Sequence, residues 1–264
     1  KLQQIAAVDQ KAENFNAQVA LRMEWQDPAL AYDPEACNCS VKTYSTDSFR
    51  DFVSAAKGRW PEFTLYNQQN NRWTQNRVAR VFPDGRAIYL ERFTTTFQAP
   101  DFDFRHFPFD QQQFFIRVDG LYSADLYNWV DNEQYSEVGS QLGEEEWYIT
   151  GSGTDISTET ISTQYPTSRY SFGFQARRHL SYYLFRIFLP LGLILLVSWI
   201  TFFLVDFTKR IEAASANLLL FIAWNFAIGG DLPRLGYLTF MDALLASGFV
   251  ISVSVVLYNV VLRR

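Results

Sequence analysis

The stretch Glu212 to Gly230 reads EAASANLLLFIAWNFAIGG; it is apolar enough for a bilayer, yet it opens on a carboxylate and carries Ser215, Asn217 and Asn225. At 3.6 residues per turn, Glu212, Ala216, Leu219, Ala223, Phe226 and Gly230 fall on one stripe. Leu218, Leu220, Phe221, Ile222, Trp224 and Ile228 point elsewhere. A carboxylate at membrane depth costs about 2.5–3.5 kcal/mol on insertion scales unless it meets a partner or water. Glu212 is therefore expected to face a bundle interior or a wet cavity. One helix encloses no cavity, so several helices or several copies of the chain must. A buried helix packed through its small residues is the competing reading of the same stretch.

Working outward, the chain is apolar on both sides of this helix. Tyr182 to Val205 is 24 residues with only Arg186 charged, long enough to span a hydrocarbon core of about 30 Å. Pro190 within it frees a carbonyl and bends the helix, which membrane helices tolerate when neighbours re-satisfy the group. Tyr237 to Leu262 is another span, with Asp242 near its start. Lys209-Arg210 follows the first span and Arg263-Arg264 the third, so the positive-inside rule makes those ends cytoplasmic. The remainder and the short Asp231 to Gly236 loop then lie outside. The expected division is a β-domain over 1–181 and a membrane domain over 182–264, with spans at about 182–205, 212–230 and 237–262.

Upstream the pattern changes to short alternating runs. Leu2 to Val8 and Phe15 to Trp25 alternate, the second placing Phe15, Ala17, Val19, Leu21, Met23 and Trp25 on one face. Asp27-Pro28 and Asp33-Pro34 are breakers, Ser48 to Gly58 fits one or two helical turns, and Trp60 to Asn67 returns to extended structure. Residues 76–97 form the clearest hairpin, with Pro83-Asp84-Gly85 as its turn. Phe114 to Val118, Leu126 to Val130, Trp147 to Thr150, Glu159 to Ser162 and Tyr170 to Arg177 add further strands. About ten short strands with no long amphipathic helix among them make an antiparallel, immunoglobulin-like β-sandwich.

Composition removes several function classes. A net charge of −5 with no basic stripe argues against nucleic acid as a partner. The two histidines, His106 and His179, have no nucleophile at a recognisable spacing, and no nucleophile-elbow, phosphate-loop or zinc pattern occurs. The protein is not expected to be an enzyme, and it requires no cofactor. Cys37 and Cys39 are separated by one residue, awkward for a mutual disulfide and weak as a metal motif, so two thiols in a loop are expected. Lys1 begins no signal peptide, so processing or truncation ahead of it is expected.

The segment His106 to Gln113, HFPFDQQQ, supplies a signature: Phe107-Pro108-Phe109-Asp110 resembles the FPFD loop of the Cys-loop receptor superfamily, the pentameric ligand-gated ion channels. The two loop cysteines of that family would fall near Pro100 and Phe114, and neither is Cys, a departure similar to the bacterial branch. Trp25 to Tyr32 resembles the family's W-x-D-x-R-L-x-W segment with Ala29 in place of Arg, and Trp60-Pro61-Glu62 resembles its W-x-P-[DE]. Pro190 and Leu232-Pro233 match the first-span proline and the loop between the second and third spans. The resemblance covers nearly the whole chain and implies a fourth membrane helix beyond Arg264.

It also implies roles. The chain would be one of five identical subunits of a cation-selective channel in the inner membrane, with the β-domain extracytoplasmic. Its partners would be four further subunits, the lipid bilayer, permeant cations and a small-molecule or ionic ligand. The pore would be lined by Glu212, Ser215, Ala216, Leu219, Ala223, Phe226 and Gly230, with the Glu212 carboxylates favouring cations and Leu219 and Phe226 closing the path by dewetting. Ligand would bind between subunits, using Gln68 to Asn70, the Gly120-Leu121-Tyr122 turn and the Ser162 to Ser168 tip on one side and the Glu24 to Gln26 strand with Arg86 to Leu90 on the other. The aromatic set is Trp25, Tyr89, Tyr122 and Tyr165, able to hold an amine by cation–π attraction. Asp110, Pro108, Arg177, Pro233 and Arg234 would couple ligand to gate.

Glu144, Glu145 and Glu146, with Asp101 and Asp103, are oxygen-rich enough for a modulatory Ca²⁺, although a solvated acidic loop is the blander reading. A non-conducting, membrane-anchored receptor or adhesion domain is the alternative function. A plain anchor, however, needs one apolar span and no acid within it.

Overall fold

A computed structural model describes residues 1–139, 146–160, 165–230 and 235–262. The chain divides into two compact units: Lys1–Phe102, Gln113–Glu145 and Ile149–Ala176 form one, and Asp103–Gln112, Glu146–Tyr148 and Arg177–Arg264 the other.

Among the described residues there are nine strands: β1 (Leu2–Asp9), β2 (Asn14–Gln26), β3 (Lys42–Tyr44), β4 (Phe63–Leu65), β5 (Trp73–Val81), β6 (Arg86–Gln98), β7 (Gln111–Ser123), β8 (Trp147–Glu159) and β9 (Thr167–Arg178). They make a five-stranded sheet in the order β1-β2-β6-β5-β3 and a four-stranded sheet in the order β4-β7-β9-β8. This is the expected antiparallel sandwich. Alternation along β2, β6, β7 and β9 sends one apolar face inward, and there Phe15 meets Phe97, Phe114 and Phe174 at ring centroids 5.3, 5.1 and 5.8 Å away.

The 76–97 hairpin holds, as β5 and β6 joined at Gly85. Its φ of 84° needs glycine, and a Cβ there would come within 2.5 Å of the Asp27 carbonyl. Two short helices interrupt the strands, α1 (Pro34–Cys37) and α2 (Thr46–Ala55). Phe49 and Val53 of α2 pack with Met23, Leu30, Val81 and Tyr89 in a second apolar cluster.

Three expectations are corrected here. Leu126 to Val130 is not a strand, because the chain turns at Ala124–Leu126, with Leu126 N–H donating to Ser123 O. Glu159 is the last residue of β8 rather than the start of a new strand, and Ser162 lies outside the described residues. Cys37 and Cys39 are disulfide-bonded. The left-handed Asn38 at the end of α1 (φ 49°, ψ 44°) folds the backbone back, leaving the two Cα atoms 5.2 Å apart, within bridging range.

In the second unit, three helices are long and apolar enough to cross a membrane: Ser181–Phe203, Phe207–Ile228 and Phe240–Leu262. The first opens as α3 (Ser181–Tyr183), widens into a π-helical stretch (Leu184–Phe188) and continues as α4 (Leu189–Ile200). The widened turn lies where Pro190 has no N–H to give the preceding turn. Next comes α5 (Phe207–Ile228), whose N-cap Asp206 accepts from Thr208 N–H at 2.8 Å. It starts more than a turn before Glu212, so the carboxylate lies within the helix and not at its tip. The third is α6 (Phe240–Leu262), which buries Met241, Leu245, Gly248, Ser252, Val255 and Asn259 on one stripe. A Cβ on Gly248 would lie 3.0 Å from Leu191 Cδ1 and 3.3 Å from Phe221 Cε2, so glycine there lets α4, α5 and α6 close together.

Candidate functional site

The helix α5 has two chemically opposite faces. Ala214, Asn217, Phe221 and Ile228 are buried. Phe221 is 1% exposed and packs with Leu191 and Ile194 of α4. The Asn217 side-chain amide donates to Ile194 O at 2.8 Å and to Ser198 Oγ at 2.7 Å, which satisfies a polar group that would otherwise be costly at this depth.

At about 100° per residue the centre of this buried face is nearly opposite Glu212. Glu212, Ala216, Leu219, Ala223, Phe226 and Gly230 are all exposed, Leu219 at 66% and Phe226 at 81%. Ser215 is half-buried at the edge of that stripe. The periodicity therefore picked out a face of α5 that stays exposed in the second unit.

A charge cluster lies wholly within the second unit. Arg178, at the end of β9, is fully buried; its Nε donates to Asp110 Oδ1 at 2.9 Å, and the Asp110 side chain is 1% exposed. Its Nη1 donates to Glu146 and to Tyr183 Oη, the latter at 3.2 Å, while Tyr183 donates to Glu146 at 2.8 Å. The guanidinium also lies 4.0 Å from the Trp147 ring centroid.

Asp110 is positioned by the Asp103–Gln112 loop, whose Phe107–Pro108 peptide is cis. Gln112 cinches that loop, its amide donating to Asp110 Oδ2 at 2.5 Å and Asp103 O at 2.7 Å and accepting from Asp103 N–H at 2.9 Å. The loop is also tied to the segment leading into α6: Phe104 N–H donates to Tyr237 Oη at 3.0 Å and Phe240 N–H to Arg105 O at 2.7 Å. Phe109 packs on Phe188 and Phe240.

Arg177, expected in one coupling set with Asp110, does not pair with it; the buried partner is its neighbour Arg178. Strand alternation turns Arg177 to the other side, where its Nε donates to Gln111 Oε1 at 3.0 Å. Pro233 and Arg234 lie outside the described residues. Tyr237 and Gln112 carry no charge, so nothing in the sequence marks them as holding this loop.

In the first unit a cavity of about 450 Å³ opens beside β2. β1 pairs with β2 only as far as Leu2 opposite Val19, and β2 runs on past that rung. Trp25 and Glu24 of β2, Tyr122 of β7, and Trp129 and Asp131 of the following loop line it. The Trp25 and Trp129 indole N–H groups are buried with no acceptor among the described residues.

Asp131 holds the wall. It accepts from Thr154 Oγ1 at 2.8 Å, Ser136 Oγ at 2.5 Å and Tyr170 Oη at 3.1 Å. Burial pushes its carboxyl up, and the bonds from Ser136, Thr154 and Tyr170 more than offset this, holding it below the usual range. Burial also pushes the Tyr170 hydroxyl up to about 12, keeping it a donor.

Of the expected aromatic set, Trp25 and Tyr122 line this one cavity. Tyr165 is 44% exposed. Tyr89 is corrected: it is 2% exposed, its hydroxyl donates to Glu91 at 2.9 Å and its ring packs on Trp60, so it is core.

The acidic candidates are not gathered into one group. Glu144 and Glu145 lie outside the described residues, and Glu146 is held by Arg178 and Tyr183. Asp101 pairs with Arg117 at 3.3 Å and Asp103 with Arg105 at 2.9 Å. Among the described residues no group of three His, Cys, Asp or Glu could hold a metal ion.

Residues 1–180 match the model of the neurotransmitter-gated ion-channel ligand-binding domain. A proton-gated ion channel of Gloeobacter violaceus is 28% identical over 246 residues, covering 90% of this chain and 64% of its own. The gamma-aminobutyric acid receptor subunit rho-2 of Bos taurus is 25% identical over 262 residues, 94% of this chain and 53% of its own. The beta-4 subunit of Gallus gallus is 24% identical over 259 residues, 93% of this chain and 51% of its own. The chain thus spans between half and two thirds of the length of these relatives.

Proposed function

This chain belongs to the neurotransmitter-gated ion-channel family, and from that premise we propose that it is a subunit of a homopentameric, cation-selective, ligand-gated channel. The single observation that carries this is the α5 stripe: six residues one turn apart, all exposed, opposite the face that packs the bundle. Five such stripes facing one axis would form a pore with a Glu212 ring and with apolar constrictions at Leu219 and Phe226. A membrane anchor for an adhesion domain offers no reason for an acid on that face.

The β-domain is extracytoplasmic in this reading and takes a small-molecule or ionic ligand at the contact between subunits, where Tyr165 and Tyr122 contribute. Coupling runs through the buried Asp110–Arg178–Glu146 cluster, with Pro108 shaping the loop that presents Asp110.

Current is recorded from the purified full-length protein in planar bilayers, with cysteines placed at Ala216 and Ala223. Water-soluble thiol reagents are expected to change the current at both positions. If neither cysteine reacts in any state, the pore reading fails. A full-length protein that passes no current under any ligand or pH, with both cysteines reactive, would leave a water-facing helix but no channel.

A further inference from the structure

We propose that the Cys37–Cys39 disulfide is a thiol–disulfide exchange site, opened and closed by low-molecular-weight thiols on the folded protein, and not a structural staple. This stands apart from the pore reading. The sulfurs lie where a reagent can meet them: every residue from Asp33 to Asn38 is exposed, Cys37 included, and Cys39 is half-buried. Exposed disulfides are the labile ones.

The bond joins residues only two apart in sequence. In the chain-entropy account a cross-link stabilises more the longer the loop it closes, so a ring over one intervening residue is at the weak end. It fixes no packing either, since α1 buries no residue. The turn has its own fastenings: Asp33 Oδ1 accepts from Glu35 N–H at 3.0 Å, Asn38 N–H donates to Glu35 O at 3.3 Å, and Cys39 N–H to Pro34 O at 3.1 Å. Both ends are anchored as well. Tyr32 donates from its N–H to Pro83 O and from its hydroxyl to Val81 O, each at 3.2 Å. Lys42 stands opposite Val81 in the β3–β5 ladder, its ammonium 3.9 Å from the Tyr32 ring centroid. Breaking the S–S bond therefore leaves the sheet in place, as exchange on a folded protein requires.

A thiolate attacks Cys37 Sγ, the S–S bond breaks, and Cys39 leaves as a thiolate that takes up the proton the reagent gave up. A second thiolate attacks the reagent sulfur of the mixed disulfide and releases Cys37, which is protonated in the same way. Two reagent thiols are oxidised to one disulfide, and the protein disulfide is reduced to two thiols. The ring is closed with Asn38 in the left-handed region (φ 49°, ψ 44°), a conformation that asparagine tolerates and a β-branched residue resists. The residue between the sulfurs thus sets the balance between the two forms.

The test equilibrates the folded full-length protein in detergent with glutathione buffers running from oxidised to reduced, then quenches, alkylates and reads Cys37 and Cys39 by peptide mass spectrometry. Both are expected to become alkylated toward the reduced end and to be protected again when the buffer is reversed. Asn38→Val is expected to shift the equilibrium toward the dithiol by about 5–30-fold, the left-handed cost expressed as a ratio. Cys37→Ser with Cys39→Ser should lower the thermal unfolding midpoint by less than about 2 °C, where loss of a staple costs several times that. The inference is overturned if the pair stays protected in every buffer while the protein is folded, if the double variant falls as a staple would, or if Asn38→Val leaves the equilibrium where it was. None of these results touches the pore reading, whose own test is accessibility along α5.

Discussion

The two faces of α5 share one backbone and obey different rules. On the buried face the Asn217 amide donates to a carbonyl and a hydroxyl of α4, and Phe221 fits against Leu191 and Gly248. On the open face Leu219 and Phe226 are as apolar as any core residue yet stay 66% and 81% exposed, and Glu212 makes no ion pair among the described residues. Packing explains the first set and leaves the second without a structural reason, which is what separates residues that make the helix from residues the helix carries. Arg178 and Arg177 repeat the contrast on a strand, one buried among four partners and its neighbour on the surface.

The contrast is broken most directly with phenylalanines. Phe221→Ala is expected to lower stability by about 3–5 kcal/mol, as large-to-small core changes do, whereas Phe226→Ala should leave the thermal unfolding midpoint of the detergent-solubilised protein unchanged. Equal losses at the two positions would mean that the exposed face is packed after all. Next comes the arginine pair. Arg178→Ala strands Asp110 and Glu146 and should destabilise by about 3–5 kcal/mol, while Arg177→Gln should stay within about 0.5 kcal/mol, both read from unfolding curves.

A smaller effect is expected at Asn217. Its replacement by alanine removes two interhelical hydrogen bonds, and such bonds in membranes are worth about 0.6–1.7 kcal/mol. The loss should disappear if Ser198 is already alanine and only the hydroxyl contact mattered, which a double-mutant cycle would show.

The smallest effect is set by pH and lies in the β-domain. Because the Asp131 carboxyl is held below its ordinary 3.8, its stabilisation is present above that value and is lost as pH falls through the folded-state pKa. Asp131→Asn should therefore lower the unfolding midpoint at neutral pH. The gap from wild type should close as the pH drops below about 4. A gap that stays constant down to pH 3 would show that the carboxylate form is not what Ser136, Thr154 and Tyr170 hold.

Much of this was written in local pattern. The apolar spans, the hairpin turning at Gly85 and the open stripe of α5 each follow from a period of 3.6 or 2 and a turn residue, and those are local. What depended on where side chains meet was not legible. Arg177 and Arg178 are indistinguishable as letters, and only the phase of β9 decides which one enters the core. Tyr89 differs, since its alternation with Ala87, Glu91 and Phe93 assigns it inward, while the family resemblance implies a ligand contact there. The Cys37–Cys39 bond needed a left-handed Asn38, a conformation that spacing does not announce. Glu212 looked like the opening of its helix because Phe207 to Ile211 resembles a charged loop until Asp206 caps it.

Gly248 gives experimenters a dial. One added methyl would press on Leu191 and Phe221 by a few tenths of an ångström, enough to nudge three spans apart without unseating any of them. Graded substitutions there, from alanine to serine to valine, would tilt the carboxylate-bearing helix from behind while its outward-looking side chains stay chemically untouched. Mechanical stiffness and ion chemistry could then be varied one at a time in the same molecule.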